Sequence, residues 1–343
     1  AGIIGKFNAI ELSELGYQIT IVDPAIDKNS SSASLGLLMG NMYQKRNGRS
    51  WELRKQSLEL WPRWIKFFYN FNKGLSIKKP LIQLTTNEEK FEKLKKFVSK
   101  NTNQGLEVLE KNSIRLKNIN KTFQTKNLKG IISHDDGRIN PISLLETLNV
   151  CLKYKKINFI KDEIIKIQKT KNQWIATSRN NNEIKSDAII LCNSINALNL
   201  INYKHHKVQL KQVLGQAIEV CSYEKEIDFL SLPKHFNIDG KNLLPLTQNK
   251  IIIGSTDEYN DKPEENVFER LTDFLENKPK WLSKEKITRK WFGIRSRPEG
   301  EPSPILKNLE DGLILCSGFY KNGFLLAPSC SHWVGNELKN YFI

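Results

Sequence analysis

The sequence has few of the residues that build metal centres, disulfide frameworks or membrane spans. Its five cysteines are far apart and never form a Cys-x-x-Cys pair, which argues against a disulfide framework and for a reducing, cytoplasmic location. None of the five histidines stands at zinc-ligand spacing from a cysteine or a glutamate, so we predict no metal site. No apolar run approaches the roughly 20 residues that cross a bilayer, so we expect no membrane span.

Acidic residues are outnumbered by basic ones. The chain has 53 Lys and Arg but 37 Asp and Glu, which gives a net charge of +16. Such a surplus can mark a surface that binds nucleic acid or a membrane. Here the lysines are spread along the whole chain, and clusters such as 90–96 alternate with acids and apolar residues, as on a solvated helix face. Composition alone therefore does not predict a nucleic-acid partner.

The 343 residues, 39% of them hydrophobic, are enough for one large domain or two ordinary ones. Apolar spacing predicts helices over 7–15, 50–71, 84–100 and 264–280, and further helices from Pro141 and from about Pro328. In the second helix we expect a stripe of Leu53, Leu58, Leu60, Trp61, Trp64 and Phe67 to be buried, with a kink or restart at Pro62.

Strand-like segments fill the rest of the chain. Residues 17–22 form a short β-rich run, residues 157–191 alternate in short segments, and residues 208–256 are again β-rich. The apolar run 188–191 is typical of a buried parallel strand. The last predicted strand covers 312–316.

The N-terminal residues Gly2-Ile-Ile-Gly5 supply the last two glycines of G-x-G-x-x-G. Glycine permits the tight turn and the close approach of a pyrophosphate, and the helix that follows offers free N–H groups to that anion. Asp23 ends the next strand about 20 residues later, where a carboxylate binds a ribose hydroxyl. The pattern predicts binding of FAD or NAD rather than NADP; we expect a strand before Ala1 and no secretory signal.

Several further motifs occur in an order and spacing that resemble the FAD-dependent D-amino acid oxidase family, and glycine oxidases in particular. They are Ser30–Leu38, Asp136-Gly137 with Pro141 and Leu144, Trp291-Phe-Gly-Ile-Arg295 with Pro304, and Gly318–Pro328. The resemblance covers nearly the whole chain. It implies a mixed α/β fold in which a Rossmann-like FAD-binding domain (1–75, 130–200 and 285–343) carries an inserted β-rich substrate domain (76–129 and 201–284).

The resemblance also assigns roles to residues. Those expected to contact FAD are Gly2, Ile3, Ile4, Gly5, Asp23, Pro24, Ser31, Ser32, Leu35, Gly36, Leu37, Ile164, Gly318, Phe319, Tyr320, Lys321, Asn322, Gly323, Phe324 and Leu325. Arg295 is expected to bind the substrate carboxylate, since a planar guanidinium can hold it with two parallel hydrogen bonds. Strand alternation leaves Arg297 open for the same role. Tyr320, Lys321 and Asn242 are the other expected substrate-binding residues.

The sequence departs from the family pattern at positions near the substrate. Lys321 and Phe319 replace an arginine and a histidine of the family's glycine-rich signature, Ser296 replaces a proline, and Asn242 falls near the position of a substrate-facing tyrosine. Lysine keeps the positive charge but loses the bidentate geometry of arginine. Flavin binding is therefore a safer expectation than the identity of the substrate.

The reaction that the resemblance implies is oxidation of a C–N bond in glycine, sarcosine or a D-amino acid. Hydride would pass to the flavin, the imine would hydrolyse, and O2 would reoxidise the flavin to give H2O2. No protein acid or base is required, because the flavin performs the redox step. Two alternatives stay open: a flavin oxidase acting on a tRNA-attached amine, and a non-catalytic flavin-binding protein. A homo-oligomer is also compatible with the sequence.

Overall fold

The computed structural model describes residues 1–26, 29–171, 173–202, 205–259 and 262–342. Its α-helices are α1 (Ile3–Glu14), α2 (Arg49–Tyr69), α3 (Glu88–Ser99), α4 (Lys117–Phe123), α5 (Pro141–Tyr154), α6 (Val267–Thr272) and α7 (Gly323–Tyr341). Within these described ranges, no helix is both long and apolar enough to cross a membrane.

The strands follow in chain order. They are β1 (Thr20–Val22), β2 (Leu37–Leu38), β3 (Leu81–Thr85), β4 (Leu106–Leu109), β5 (Lys129–Ser133), β6 (Gly137–Arg138), β7 (Asn158–Ile160), β8 (Ile164–Lys169), β9 (Trp174–Ser178), β10 (Glu183–Ser186), β11 (Ile189–Leu191), β12 (Leu210–Cys221), β13 (Phe236–Ile238), β14 (Lys241–Thr247), β15 (Lys250–Gly254), β16 (Ile287–Pro298), β17 (Ile305–Glu310) and β18 (Leu313–Ser317). The mixture of helices with large and small sheets agrees with the predicted α/β class.

The largest sheet has eight strands in the order β16-β12-β15-β14-β13-β3-β5-β4. All neighbours in it are antiparallel except β13 and β3. Strands β5 and β16, from segments that the sequence assigned mainly to the FAD-binding domain, hydrogen-bond into this sheet together with strands of the substrate domain. The division into two domains therefore remains a prediction.

Helices and parallel strand pairs from both ends of the chain form the other half of the molecule. β1 pairs in parallel with β7, and β11 pairs in parallel with β18, which confirms the predicted parallel strand at 188–191. One hydrophobic core joins residues of α1, α2, α5 and α7. In it the Phe7 ring lies 4.5 Å from that of Trp64 and 5.7 Å from that of Trp61. The C-terminal helix thus completes the fold that the N-terminal helix begins.

The second helix differs from its prediction in two ways. α2 runs without a break through Pro62, and its buried residues include Phe68 but not Phe67, Leu58 or Leu60. The helix does not restart at Pro62, so that alternative is wrong, whereas a kink there stays a prediction. Next to the proline, the Trp61 indole N–H donates to the Leu325 carbonyl at 3.1 Å. A proline weakens a helix locally, and tertiary contacts of this kind offset the loss.

Two other helix boundaries were also wrong. The predicted helix over 264–280 is reduced to the six residues of α6, Val267–Thr272. α7 begins at Gly323 rather than near Pro328. Its first turn is apolar and buried, through Phe324, Leu325 and Leu326, so packing starts the helix five residues before the proline.

Candidate active site

A cavity of about 1950 Å³ separates the helical half from one face of the eight-stranded sheet. Pockets for drug-sized ligands usually measure about 300–1,000 Å³, so this one has room for a dinucleotide and a second small molecule. Its walls come from the N-terminal turn, the segment 29–37, strands β12 and β16, and the turn before α7. These parts are far apart in sequence, and the fold brings them to one space.

The N-terminus of α1 forms one end of the cavity. Gly2 precedes the helix, and the Ile3 N–H donates to the Ser31 hydroxyl oxygen at 2.9 Å. A Cβ atom at Gly2 would lie only 2.6 Å from that same oxygen, so glycine lets the serine segment close against the helix end. The arrangement offers backbone N–H groups and a positive helix end to an anion such as a pyrophosphate.

Asp23 lies just beyond the end of β1, on the same wall of the cavity as Ile164, the first residue of β8. Its Oδ1 atom accepts the Ala25 N–H at 2.7 Å, which orients the carboxylate while leaving acceptor capacity on the group. An oriented carboxylate at this distance along the chain from the glycine turn fits a ribose hydroxyl.

The segment 29–37 is held against β16. The Ser30 hydroxyl donates to the Ile294 carbonyl, and the Trp291 indole N–H donates to the Ala33 carbonyl at 3.1 Å. A Cβ atom at Gly293 would lie 2.7 Å from the Ala33 Cβ atom. Small residues on both sides therefore permit the close approach that places Ser31 and Ser32 at the helix N-terminus.

The turn before α7 is fixed to the same strand. The Tyr320 N–H donates to the Ser296 carbonyl at 3.0 Å, and the Ser303 hydroxyl donates to the Gly318 carbonyl at 2.7 Å. Gly318 has φ of 67° and Tyr320 has φ of 51°, a left-handed conformation that glycine adopts freely and tyrosine rarely. The unusual backbone presents the Tyr320 and Lys321 side chains to the cavity.

Arg295 lies in the wall of the cavity with its side chain 15% exposed. Its Nη1 atom donates to the Thr256 carbonyl at 3.1 Å and to Asp257 Oδ1 at 2.8 Å, and its Nη2 atom donates to the Ser255 hydroxyl at 2.6 Å. The guanidinium lies over Gly215, where a Cβ atom would be 2.0 Å from Nη2. Burial lowers the pKa of Arg295, and the Asp257 carboxylate opposes that shift.

Lys321 joins this group from the opposite side, since its Nζ atom contacts Asp257 Oδ2 at 2.5 Å. Burial, with Asp257 nearby, raises the pKa of Tyr320 to about 12, so the phenol stays protonated at neutral pH. Arg297, by contrast, is exposed, does not line the cavity and donates to the Tyr259 hydroxyl at 2.6 Å. Of the two arginines that the sequence left open, the structure therefore places Arg295 in the cavity wall.

Asn242 lines the cavity from the neighbouring strands. Its Oδ1 atom accepts the Asn237 amide N–H at 3.2 Å and lies 3.2 Å from His235 Nε2. Burial lowers the pKa of His235 to about 3, so this imidazole is neutral and donates through Nε2. Both contacts engage the Asn242 oxygen, and neither uses its amide N–H donors.

Most of the residues predicted from sequence share this cavity. Those that line it are Gly2, Ile3, Ile4, Gly5, Asp23, Pro24, Ser31, Ser32, Leu35, Leu37, Ile164, Asn242, Arg295, Phe319, Tyr320, Lys321, Gly323 and Phe324. Four others, Gly36, Gly318, Asn322 and Leu325, lie behind the wall and shape its backbone. A Cβ atom at Gly36, for example, would lie 2.0 Å from the Ile139 carbonyl oxygen.

Asp257 is a partner of both predicted substrate-binding cations that the motifs did not reveal. It follows β15 in the polar run Ser255-Thr-Asp-Glu258, and a polar run directly after the apolar strand 251–253 was the available signal. Its neighbour Glu258 is buried and accepts hydrogen bonds from Gln216 Nε2 at 3.0 and 3.2 Å. Glu258 thus has a structural part, whereas Asp257 contacts the two cations predicted to bind substrate.

A glycine turn at a helix N-terminus, a carboxylate at the end of the next strand and a cation-lined wall across one cavity together define a dinucleotide-dependent oxidoreductase. Residues 1–336 match the family model described as FAD dependent oxidoreductase, DAO. The chain therefore belongs to the DAO family of FAD-dependent oxidoreductases, and its cofactor is FAD. The residues present fit that cofactor, because Gly2 leaves open the space that any Cβ atom would fill beside the helix end.

Individual relatives agree with the family. The chain is 26% identical over 293 residues to the bifunctional tRNA 5-methylaminomethyl-2-thiouridine biosynthesis protein MnmC of Leptospira interrogans, covering 81% of this chain and 42% of that protein. It is 31% identical over 163 residues to glycine oxidase of Pseudomonas aeruginosa, covering 45% of this chain and 42% of that protein. The alignments thus span about two fifths of the length of these curated relatives.

Solved structures show the same fold. Glycine oxidase of Bacillus cereus superposes with a TM-score of 0.84 at 18% identity, covering 99% of this chain and 95% of the other. Glycine oxidase of Geobacillus kaustophilus superposes with a TM-score of 0.81 at 20% identity, covering 99% and 92%. Similarity at this level of identity establishes the architecture, and the residues of the cavity must supply the chemistry.

Proposed function

We propose that the protein oxidises the C–N bond of a small amino acid or amine that carries a carboxylate, with glycine, sarcosine and D-amino acids as the candidates. The observation that supports this most is the guanidinium of Arg295 in the cavity wall, in the same space as the dinucleotide-binding turn. A buried guanidinium favours a carboxylate ligand because it provides charge and paired donors away from competing water.

In this proposal Arg295 and Lys321 orient the carboxylate, and Asn242 and Tyr320 supply hydrogen bonds beside it. FAD, when bound, supplies the two-electron acceptor chemistry, and molecular oxygen as the final acceptor predicts release of hydrogen peroxide. The protein's share is positioning and exclusion of water. The amine must be neutral when it gives up hydride, so a substrate that binds with its nitrogen protonated first releases that proton to solvent, and no side chain has to transfer a proton in the oxidative step. Orientation of this kind accounts for a large part of the rate in many enzymes.

The test is an anaerobic panel of amines and amino acids mixed with the purified yellow protein. We expect glycine, sarcosine or a D-amino acid to bleach the flavin absorbance, and the same compound to yield peroxide in air. A yellow protein that no amine bleaches would instead indicate a flavin-binding protein without this activity. Bleaching in the absence of peroxide would assign a different electron acceptor.

A second candidate function is oxidation of an amine attached to tRNA. It is favoured by the alignment with the tRNA biosynthesis protein, which covers 81% of this chain, and by the net charge of +16. It predicts binding to tRNA that weakens steeply as salt rises, because phosphate contacts release counterions. Flavin bleaching by a tRNA that carries the modified amine, without bleaching by free amino acids, would decide for this candidate.

A further inference from the structure

Arg295 and Lys321, two cations that line the cavity, share a carboxylate partner that is not itself among the lining residues. Asp257 contacts Arg295 Nη1 at 2.8 Å through one oxygen and Lys321 Nζ at 2.5 Å through the other. It therefore engages both cations that the proposed function assigns to the substrate carboxylate. Any inference about the role of Asp257 toward a ligand rests on that proposed function, because both concern the same site.

Arg295 keeps capacity for a second carboxylate. A guanidinium has five N–H donors, and three hydrogen bonds to Thr256, Ser255 and Asp257 use three of them. Within the described part of the chain, the remaining two donors have no protein partner. A ligand carboxylate can take these two while Asp257 stays bound to Lys321.

The three charged side chains differ in the fraction of their surface that is exposed to solvent. The side chain of Arg295 is 15% exposed, that of Asp257 36% and that of Lys321 45%. A carboxylate that reaches Arg295 thus lies deeper than Asp257 and next to it. Two carboxylates so close together repel each other, in a partly buried place where the repulsion is only partly screened by solvent.

The ligand's other groups decide whether this repulsion is relieved. Arg297 donates to the Tyr259 hydroxyl, and Glu258, itself an anion, accepts from Gln216, so neither gives Asp257 a further positive partner. A ligand that carries a cationic nitrogen next to its carboxylate gives Asp257 a new partner. We propose that Asp257 is a specificity-determining residue that selects amino acids in their zwitterionic form over plain carboxylates at the binding step.

The test uses a matched pair of ligands, 2-aminoisobutyrate and pivalate, which differ only in an ammonium group replacing a methyl group. The amino acid has no hydrogen on the carbon that bears its nitrogen, so it cannot be oxidised there and affinities can be read at equilibrium from the flavin spectrum. We expect the wild-type holoprotein to bind 2-aminoisobutyrate more tightly. In Asp257→Asn, pivalate should bind about tenfold more tightly while 2-aminoisobutyrate does not gain.

The matched control is Asp273→Asn. It removes the same charge from an exposed carboxylate that pairs with Lys241 at 3.2 Å. Lys241, unlike Arg295 and Lys321, does not line the cavity, so the preference should stay as in wild type. If Asp257→Asn does not retain FAD, Asp257→Ser replaces it, and Asp257→Glu should keep the wild-type preference.

The proposal would be overturned if Asp257→Asn changed the affinity for both ligands equally or for neither. It would also be overturned if neither ligand bound to wild type or to the variant. The proposed oxidation fails separately, when no amine reduces the flavin. The equilibrium titration needs no turnover, so the two failures are distinguishable.

Discussion

The two ends of the cavity are built on different principles. At the dinucleotide end, the contacts come from backbone N–H groups, glycines and serine hydroxyls close to the α1 N-terminus, with Ile3 and Ser31 as the clearest pair. At the end proposed to bind substrate, Asp257 contacts both Arg295 and Lys321, so that charged side chains from three separate segments meet. The first end therefore depends on close backbone approach and the second on charge balance, so substitutions should separate FAD affinity from substrate affinity.

The largest effect should come from Gly2→Val. A branched side chain would meet Ser31 Oγ, already 2.6 Å from an ideal Cβ position, and would push the serine segment away from the helix end at which such glycine turns bind a pyrophosphate. We expect FAD affinity to fall by about a hundredfold or more, measured by flavin fluorescence in a titration of apoprotein. Gly74→Ala is the control, because its added Cβ would meet nothing closer than 3.5 Å; equal FAD affinity in both variants would remove the distinction between the two ends.

The next effect should come from Arg295→Lys, which keeps the charge but loses the paired donors. We expect kcat/KM for a carboxylate-bearing amine to fall by about ten- to a hundredfold, while FAD affinity changes little. Steady-state kinetics and the flavin titration measure the two quantities. Arg115→Lys, at an exposed pair with Glu107, should change neither; a loss of FAD in Arg295→Lys without a kinetic defect would reverse the expectation.

Buried His235, which contacts Asn242, should make the free energy of unfolding depend on pH. The pKa of His235 is lowered to about 3 by burial, so below about pH 6.5 the unfolded chain binds a proton that the folded chain does not. Stability should therefore fall as pH decreases from about 6.5 toward 3, by up to about 1.4 kcal/mol per pH unit.

Urea unfolding of wild type and His235→Gln at pH 7 and pH 5 checks this. The variant should lose most of the difference in the free energy of unfolding between the two pH values. His134→Gln, at an exposed histidine, should behave as wild type. An unchanged slope in His235→Gln would show that another group carries the titration.

The smallest effect should come from Ser31→Ala, which removes the acceptor of the Ile3 N–H. Loss of such a helix-capping contact lowers the free energy of unfolding by about 1 kcal/mol. Because Ser31 also lines the cavity, we expect FAD affinity to fall as well, by about fivefold. The matched variant Asn140→Ala removes the acceptor that caps α5 and should lower the free energy of unfolding similarly without changing FAD affinity. If both variants bind FAD as wild type does, the serine serves the helix alone.

The sequence motifs named more residues at the dinucleotide end than at the proposed substrate end, for a physical reason. Gly2, Gly5 and Asp23 belong to one continuous β-α-β pattern whose spacing follows from local geometry, and the cap at Asn140 with Pro141 is equally local. Arg295 emerged from a motif, and its choice over Arg297 required the register of β16 with β12. Asp257 was missed because its partners lie 38 and 64 residues away.

The helix boundaries show the same contrast between local sequence patterns and contacts of residues far apart in the chain. Proline rules predicted a break at Pro62 and a helix start near Pro328, yet both prolines lie inside helices. In each case the neighbouring residues are held by core contacts that no local pattern contains, such as the bond between Trp61 and Leu325. Tertiary packing decided these positions.

The most direct measurement compares two amines under anaerobic conditions in the stopped-flow spectrometer, sarcosine and N-methylethylamine, which differ in a carboxylate replaced by a methyl group. We expect sarcosine, or the member of the panel that proves active, to reduce the flavin of the wild-type protein. Its carboxylate-free analogue should reduce the flavin about a hundredfold or more slowly. Arg295→Lys should narrow the difference between the two reduction rates. Equal rates of flavin reduction by both amines would contradict the assignment of this cavity. So would a flavin that no carboxylate-bearing amine reduces.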